Sequence, residues 1–140
     1  PALYGKKLIF YIKNLNVITV TNMEIYKSFR IEAAHRLPNL PSHHKCSRLH
    51  GHSFVIEVHL SGEIDKKHGW VMDFADISGA FQSVYKRLDH HYLNDIDGLE
   101  NPTSENLAKW IWNELIINLP SLHSVVVKET CNSGCVYKGE

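Results

Sequence analysis

Residues 53–60, SFVIEVHL, alternate so that an extended chain puts Phe54, Ile56, Val58 and Leu60 on one face and Val55, Glu57 and His59 on the other. This predicts a half-buried β-strand, because a helix would scatter the same side chains around its circumference. A one-residue slip in its pairing would turn the whole apolar set to solvent, so the register is strongly specified. Carrying the parity backwards places His50 and His52 on the face of Phe54. The strand thus brings the polar motif HGH onto its apolar side.

The same period appears upstream in EIYKSFRIEAAH, where Ile25, Phe29, Ile31, Ala33 and His35 share a face. Residues 70–74, WVMDF, predict a short strand leading into a helix over 74–88. There Phe74, Ile77, Phe81, Val84 and Leu88 repeat at three and four residues behind an Asp73 cap, with Asp76 in the first turn. A second helix is expected after Pro102, capped by Thr103 or Ser104, with Leu107, Ile111, Leu115 and Leu119 as its stripe and Pro120 as its stop. HSVVVKET and CVYKG give two last strands around a CNSG turn. Strands, two helices, then strands imply an α+β domain, an antiparallel sheet with both helices on one face.

A chain of 140 residues with 15 basic and 15 acidic side chains has core enough for one domain and no bulk field to attract nucleic acid or a membrane surface. A small, locally steered ligand is the better expectation. Residues 1–22 differ in texture from the rest and read as an extension, either foreign to the domain or an added edge segment; the domain proper spans 23–140. The run KKLIFYIKNLNVITV is interrupted by asparagines and a lysine, and no small-residue cleavage site follows, so it does not read as a secretory leader. Three cysteines, Cys46, Cys131 and Cys135, suggest no disulfide framework and favour a reducing compartment, and a cytoplasmic protein is expected. Cys131 and Cys135 read as ordinary thiols.

The chemistry concentrates in residues 43–52, HHKCSRLHGH. His50 and His52, two apart on a strand, point the same way, and His35 ends the neighbouring strand on its apolar face, where a neutral imidazole needs a partner. Three imidazoles suit a zinc ion with a fourth position left open for water or substrate. Each histidine taken singly fits a structural role as well; the HxH pair with an upstream strand-end histidine favours the metal. Cys46 stands beside Lys45 and two residues from Arg48, where positive charge favours a thiolate. Spacing leaves two roles open for it: a base or nucleophile, or a fourth ligand closing a structural zinc site in a non-enzymatic binding module.

Asp89 and His90 fall at a helix end that favours an imidazolium, a weak relay motif because neighbours on a regular strand point apart. Glu129 shares the parity of Val125 and Val127, so its carboxylate sits on an apolar face and needs a donor. His43 and His44 read as exposed loop residues. His59, His68, His91 and His123 have no spacing argument.

EAAHRLP, KCSRLHGHSF, RLDHHYLND, NPTSENLAKWIW and KETCNSGCVY, in one register from about Met23 to Glu140, resemble the 6-pyruvoyltetrahydropterin synthase family. The resemblance implies the tunnelling fold, ββααββ units joined side by side into a barrel, typically a hexamer built as a dimer of trimers with active sites between subunits. It makes His35, His50 and His52 the zinc ligands, Cys46 the proton acceptor and Asp89 with His90 the relay. Glu129 would anchor the pterin ring and count with the relay, Thr103 and Glu105 would lie near it, and Lys45 and Arg48 would be available to a triphosphate. Three residues separate Cys46 from His50, which resembles the branch that forms 6-carboxytetrahydropterin rather than the pyruvoyl-forming animal enzymes, with two more residues in that gap. The implied reaction converts 7,8-dihydroneopterin triphosphate into 6-carboxy-5,6,7,8-tetrahydropterin, acetaldehyde and triphosphate, on the route to 7-deazaguanine and queuosine. The alternative is triphosphate elimination with the side chain retained.

Overall fold

A computed structural model describes residues 22–140. The extension expected over residues 1–22 therefore lies, except for Asn22, outside the described residues. The order is β1 (Asn22–His35), β2 (His50–Glu63), α1 (Phe74–Leu88), α2 (Ser104–Leu115), β3 (Leu122–Thr130) and β4 (Ser133–Tyr137). All neighbouring strands pair antiparallel, giving one sheet in the order β1-β2-β3-β4.

The register follows the alternation read from the sequence. Ile31 faces Phe54, Ala33 faces His52 and His35 faces His50 across the β1–β2 ladder. Ile31, Phe54, Ile56, Val58, Leu60, Val125 and Val127 are fully buried on the face that the helices cover. Ile77, Phe81, Val84 and Leu88 supply the apolar stripe of α1, and Leu107, Ile111 and Leu115 that of α2. The Phe81 ring stacks on Phe29 with centroids 3.9 Å apart, joining α1 to β1. Each such side chain contributes roughly 1.5–3 kcal/mol through burial, so this face carries the fold.

The predicted caps are in place. Asp73 accepts a hydrogen bond from the Ala75 amide at 2.8 Å, and Thr103 accepts one from the Asn106 amide at 3.1 Å. Three expectations are corrected. Residues 70–73 form no strand, because their hydrogen bonds close on the preceding loop: the Asp65 amide donates to the Trp70 carbonyl, and the Gly69 amide, at φ +76°, donates to the Asp65 carbonyl. The second helix ends at Leu115 rather than at Pro120; a further turn still buries Leu119, through its amide bond to the Leu115 carbonyl. The last strand begins at Ser133 rather than Cys135, so the hairpin turn is shorter than CNSG suggests.

Candidate active site

β1 and β2 deliver His35, His50 and His52 to the end of the core face, just beyond Phe54. The ladder sets His35 opposite His50, and their Nε2 atoms lie 3.0 Å apart. The His35 Nδ1–H donates to the Pro102 carbonyl at 2.8 Å, and the His50 Nδ1–H donates to the Arg48 carbonyl at 2.7 Å. Carbonyls only accept, so each neutral ring keeps its proton on Nδ1 and leaves a lone pair on Nε2. Two lone pairs then face each other, an arrangement that needs a cation between or beside them.

His52 and Glu129 complete the cluster. The His52 Nε2 lies 3.0 Å from Glu129 Oε1, yet off the axis of a hydrogen bond, so this buried nitrogen has no hydrogen-bond partner. The Glu129 Oε2 accepts from the Ser104 hydroxyl at 2.9 Å, which ties the carboxylate to the start of α2. One ligand atom from each of His35, His50, His52 and Glu129 lies within 4.8 Å of every other. Two imidazole lone pairs, a third ring nitrogen without a hydrogen-bond partner and a carboxylate fit a divalent metal such as zinc. His35 is wholly buried, and burial holds its imidazole below the usual histidine range despite the Pro102 carbonyl. It therefore stays neutral and available as a ligand.

The bonds from Pro102 and Arg48 are the outer contacts that fix ligand tautomers. Sequence parity finds the candidate ligands but not these carbonyls, because a backbone acceptor carries no residue signature. Ser104, the partner of Glu129, is visible in the sequence only as an alternative helix cap.

Cys46 occupies a 3-10 turn over Lys45–Ser47 and is half-buried. Its Sγ is not among the convergent ligand atoms, and the fourth member is Glu129. Its carbonyl accepts from the Leu37 amide at 2.8 Å, which ties the turn two residues beyond His35. Lys45 and Arg48 are exposed on the same loop.

Glu129, Thr103, Ser104, Glu105 and Cys135 line a cavity of about 260 Å³ beside the cluster. Burial, followed by the nearby Glu105 charge, pushes the Cys135 thiol up and keeps it protonated. Cys131 is exposed.

Asp89 and His90 take a different position. The Asp89 Oδ1 accepts the Glu32 amide at 3.0 Å, and the Ala34 amide donates to the His91 carbonyl at 3.1 Å, so this segment runs along the outer edge of β1. His90 has φ +58°, which departs from a regular strand and brings its Nδ1–H back to Asp89 Oδ2 at 2.8 Å. Histidine is among the residues that tolerate this region. The Asp89 hydrogen bond raises the His90 pKa. The Glu32 amide, then His90, holds the Asp89 carboxyl below its usual range. His90 lines a cleft of about 530 Å³ with Glu32, Ser53 and Tyr92, and with His52 of the cluster at its border. Glu32 and Ser53 alternate with Ala33 and His52, so they face away from the histidine cluster of the same chain.

Among the described residues no helix is long and apolar enough to cross a membrane. Residues 24–140 match the family model described as 6-pyruvoyl tetrahydropterin synthase. The chain is 48% identical over 121 residues to the 6-carboxy-5,6,7,8-tetrahydropterin synthase of Synechocystis sp., covering 81% of this chain and 91% of the relative. It is 35% identical over 133 residues to the 6-pyruvoyl tetrahydrobiopterin synthase of Homo sapiens, covering 84% and 92%. Its fold is similar to the solved Caenorhabditis elegans 6-pyruvoyl tetrahydropterin synthase, with a TM-score of 0.80 at 28% identity over 86% of this chain and 98% of that one.

Proposed function

Because the chain belongs to the 6-pyruvoyl tetrahydropterin synthase family, we propose that it is an enzyme converting 7,8-dihydroneopterin triphosphate into 6-carboxy-5,6,7,8-tetrahydropterin, acetaldehyde and triphosphate. The observation that carries a catalytic reading is the convergence of His35, His50, His52 and Glu129 beside a cavity, with one buried ring nitrogen unpartnered. The choice of product rests on the similarity to the Synechocystis relative and on the short gap between Cys46 and His50.

His35, His50 and His52 would hold zinc, which when bound supplies a Lewis acid for oxygen atoms of the substrate side chain. Glu129 and Glu105, with the Thr103 hydroxyl, offer acceptors to the NH groups of a pterin ring in the cavity they line. Cys46, on the turn that leads into His50, takes the proton from the carbon beside the ring. The Asp89 carboxylate orients His90 and favours its imidazolium form, which can donate a proton. His90 lies at the outer edge of β1 and is not among the convergent groups of its own chain, so in this reading it serves the site of a neighbouring copy. Side-by-side copies closing a barrel, as a dimer of trimers, would bring the two together. Lys45 and Arg48 are available to the triphosphate.

The test is incubation with dihydroneopterin triphosphate, followed by assays for triphosphate and acetaldehyde. Both products are expected. Triphosphate without acetaldehyde would favour 6-pyruvoyltetrahydropterin formation, the activity named for the human relative. Neither product would refute the enzyme reading.

A further inference from the structure

The stretch HHKCSRLHGH contains a histidine that the reaction above does not use. His44 stands one residue before the turn that carries Cys46, with φ −70° and ψ 134°, the extended backbone of a helix cap. Its Nδ1 accepts the Cys46 amide at 3.1 Å. An imidazole nitrogen that accepts must be unprotonated, so the ring is neutral with its hydrogen on Nε2. The same residue's carbonyl accepts the Ser47 amide at 3.0 Å and the Ser47 hydroxyl at 2.7 Å. That hydroxyl also reaches the Ser42 carbonyl at 3.0 Å, tying the turn to the loop before it.

The two ends of the Cys46 residue are therefore fixed by different parts of the chain. His44 holds its amide, and the Leu37 amide holds its carbonyl at 2.8 Å. Two residues further on, the Arg48 carbonyl holds the His50 ring. Side-chain caps of short turns are usually Ser, Thr, Asp or Asn, and each works by accepting an orphan amide of the first turn. Here an imidazole performs that task.

We propose that His44 is a positioning residue for Cys46: its neutral ring caps the 3-10 turn and sets the cysteine backbone in place relative to the metal-binding end of β1 and β2. The inference rests on the reading of Cys46 as the proton acceptor. Removing the cap lets the turn fray, so the thiol spends less time where it can act, while the cavity proposed for the pterin, which no residue of the turn lines and which meets it through Leu37, keeps its other walls. The effect then falls on kcat rather than KM.

The experiment compares His44→Ala, His44→Asn and His43→Ala in the full chain, measuring kcat, KM, metal content and hydrogen exchange of the Cys46 amide. His44→Ala is expected to lower kcat about five- to tenfold with KM unchanged, the scale of a lost cap, and to speed Cys46 amide exchange with metal content retained. His44→Asn supplies an acceptor of the usual capping kind and is expected to restore both readouts; His43→Ala should alter neither. Unchanged kcat and exchange in His44→Ala would overturn the proposal, as would failure of His44→Asn to restore them. Cys46→Ala separates the two layers. If that variant keeps full turnover, the base assignment and the kcat half of the proposal fall together, whereas faster exchange in His44→Ala would still uphold the cap itself.

Discussion

Chelation should cost this protein a measurable part of its thermal stability. In the histidine cluster the Nε2 atoms of His35 and His50 lie 3.0 Å apart, with both Nδ1 protons committed to carbonyls. The ligands are thus already ordered in the folded chain and dispersed in the unfolded one, so metal binds the native state preferentially. At a free metal concentration about a hundred times Kd, that preference contributes ~2.7 kcal/mol. A folded unit of about 120 residues has an unfolding entropy near 0.25 kcal/mol/K, so stripping the metal should lower Tm by ~11 °C. The cost of the facing lone pairs in the metal-free protein is already contained in Kd. The assay is calorimetry at fixed protein concentration, with and without a strong chelator, alongside metal analysis; in His50→Ala the chelator-sensitive shift should vanish. A Tm that ignores chelation, or a His50→Ala preparation holding as much metal as the parent, would refute the ligand assignment.

Cys46→Ala should keep its metal and lose turnover, because the convergent set is completed by Glu129 rather than by this thiol; loss of metal in the variant would instead make Cys46 a ligand. His90 should titrate above its ordinary value of 6.5 by NMR, and Asp89→Asn should bring it back towards that value, since the Asp89 hydrogen bond is the main cause of the shift. The linked stability has a definite sign. The raised His90 pKa contributes fully below 6.5 and is lost as pH rises through the folded value, while the lowered Asp89 pKa contributes above 3.8 and is lost as pH falls through its own. The advantage of the parent over Asp89→Asn should therefore peak between these ordinary values and shrink towards alkaline pH. His90→Ala should reduce turnover about a hundredfold. Phe81→Ala, which empties a fully buried position against Phe29, should cost ~3–5 kcal/mol in denaturant unfolding.

The face that carries the candidate metal site is legible because a strand assigns faces by parity alone. His35, His50, His52 and Glu129 each share parity with buried neighbours, and pairing only had to bring them to the same end. WVMDF forms no strand for the converse reason: strand propensity says nothing about whether a free ladder edge exists, and Asp65 and Gly69 take up the local hydrogen bonds instead. The Asp89–His90 pair looked weak because adjacent strand residues diverge, an objection that the left-handed backbone at His90 removes. His44 was passed over because an exposed imidazole acting as a turn cap has no pattern to find. Backbone acceptors such as Pro102 and Arg48 lie outside what side-chain identity can report.

The cross-strand pairing of His35 with His50 also divides the chain by its tolerance to changes in length. One residue inserted within 29–35 or 50–58 would reverse the facing of everything on one side of it, separating ligands from core in a single step. The intervening residues 36–49 belong to no ladder, so their length can change while both histidines stay opposed. What such a change would move is Cys46, relative to a histidine cluster that stays fixed. Insertions and deletions in this connection therefore offer evolution, or an engineer, a way to re-aim the proposed base without rebuilding the histidine cluster.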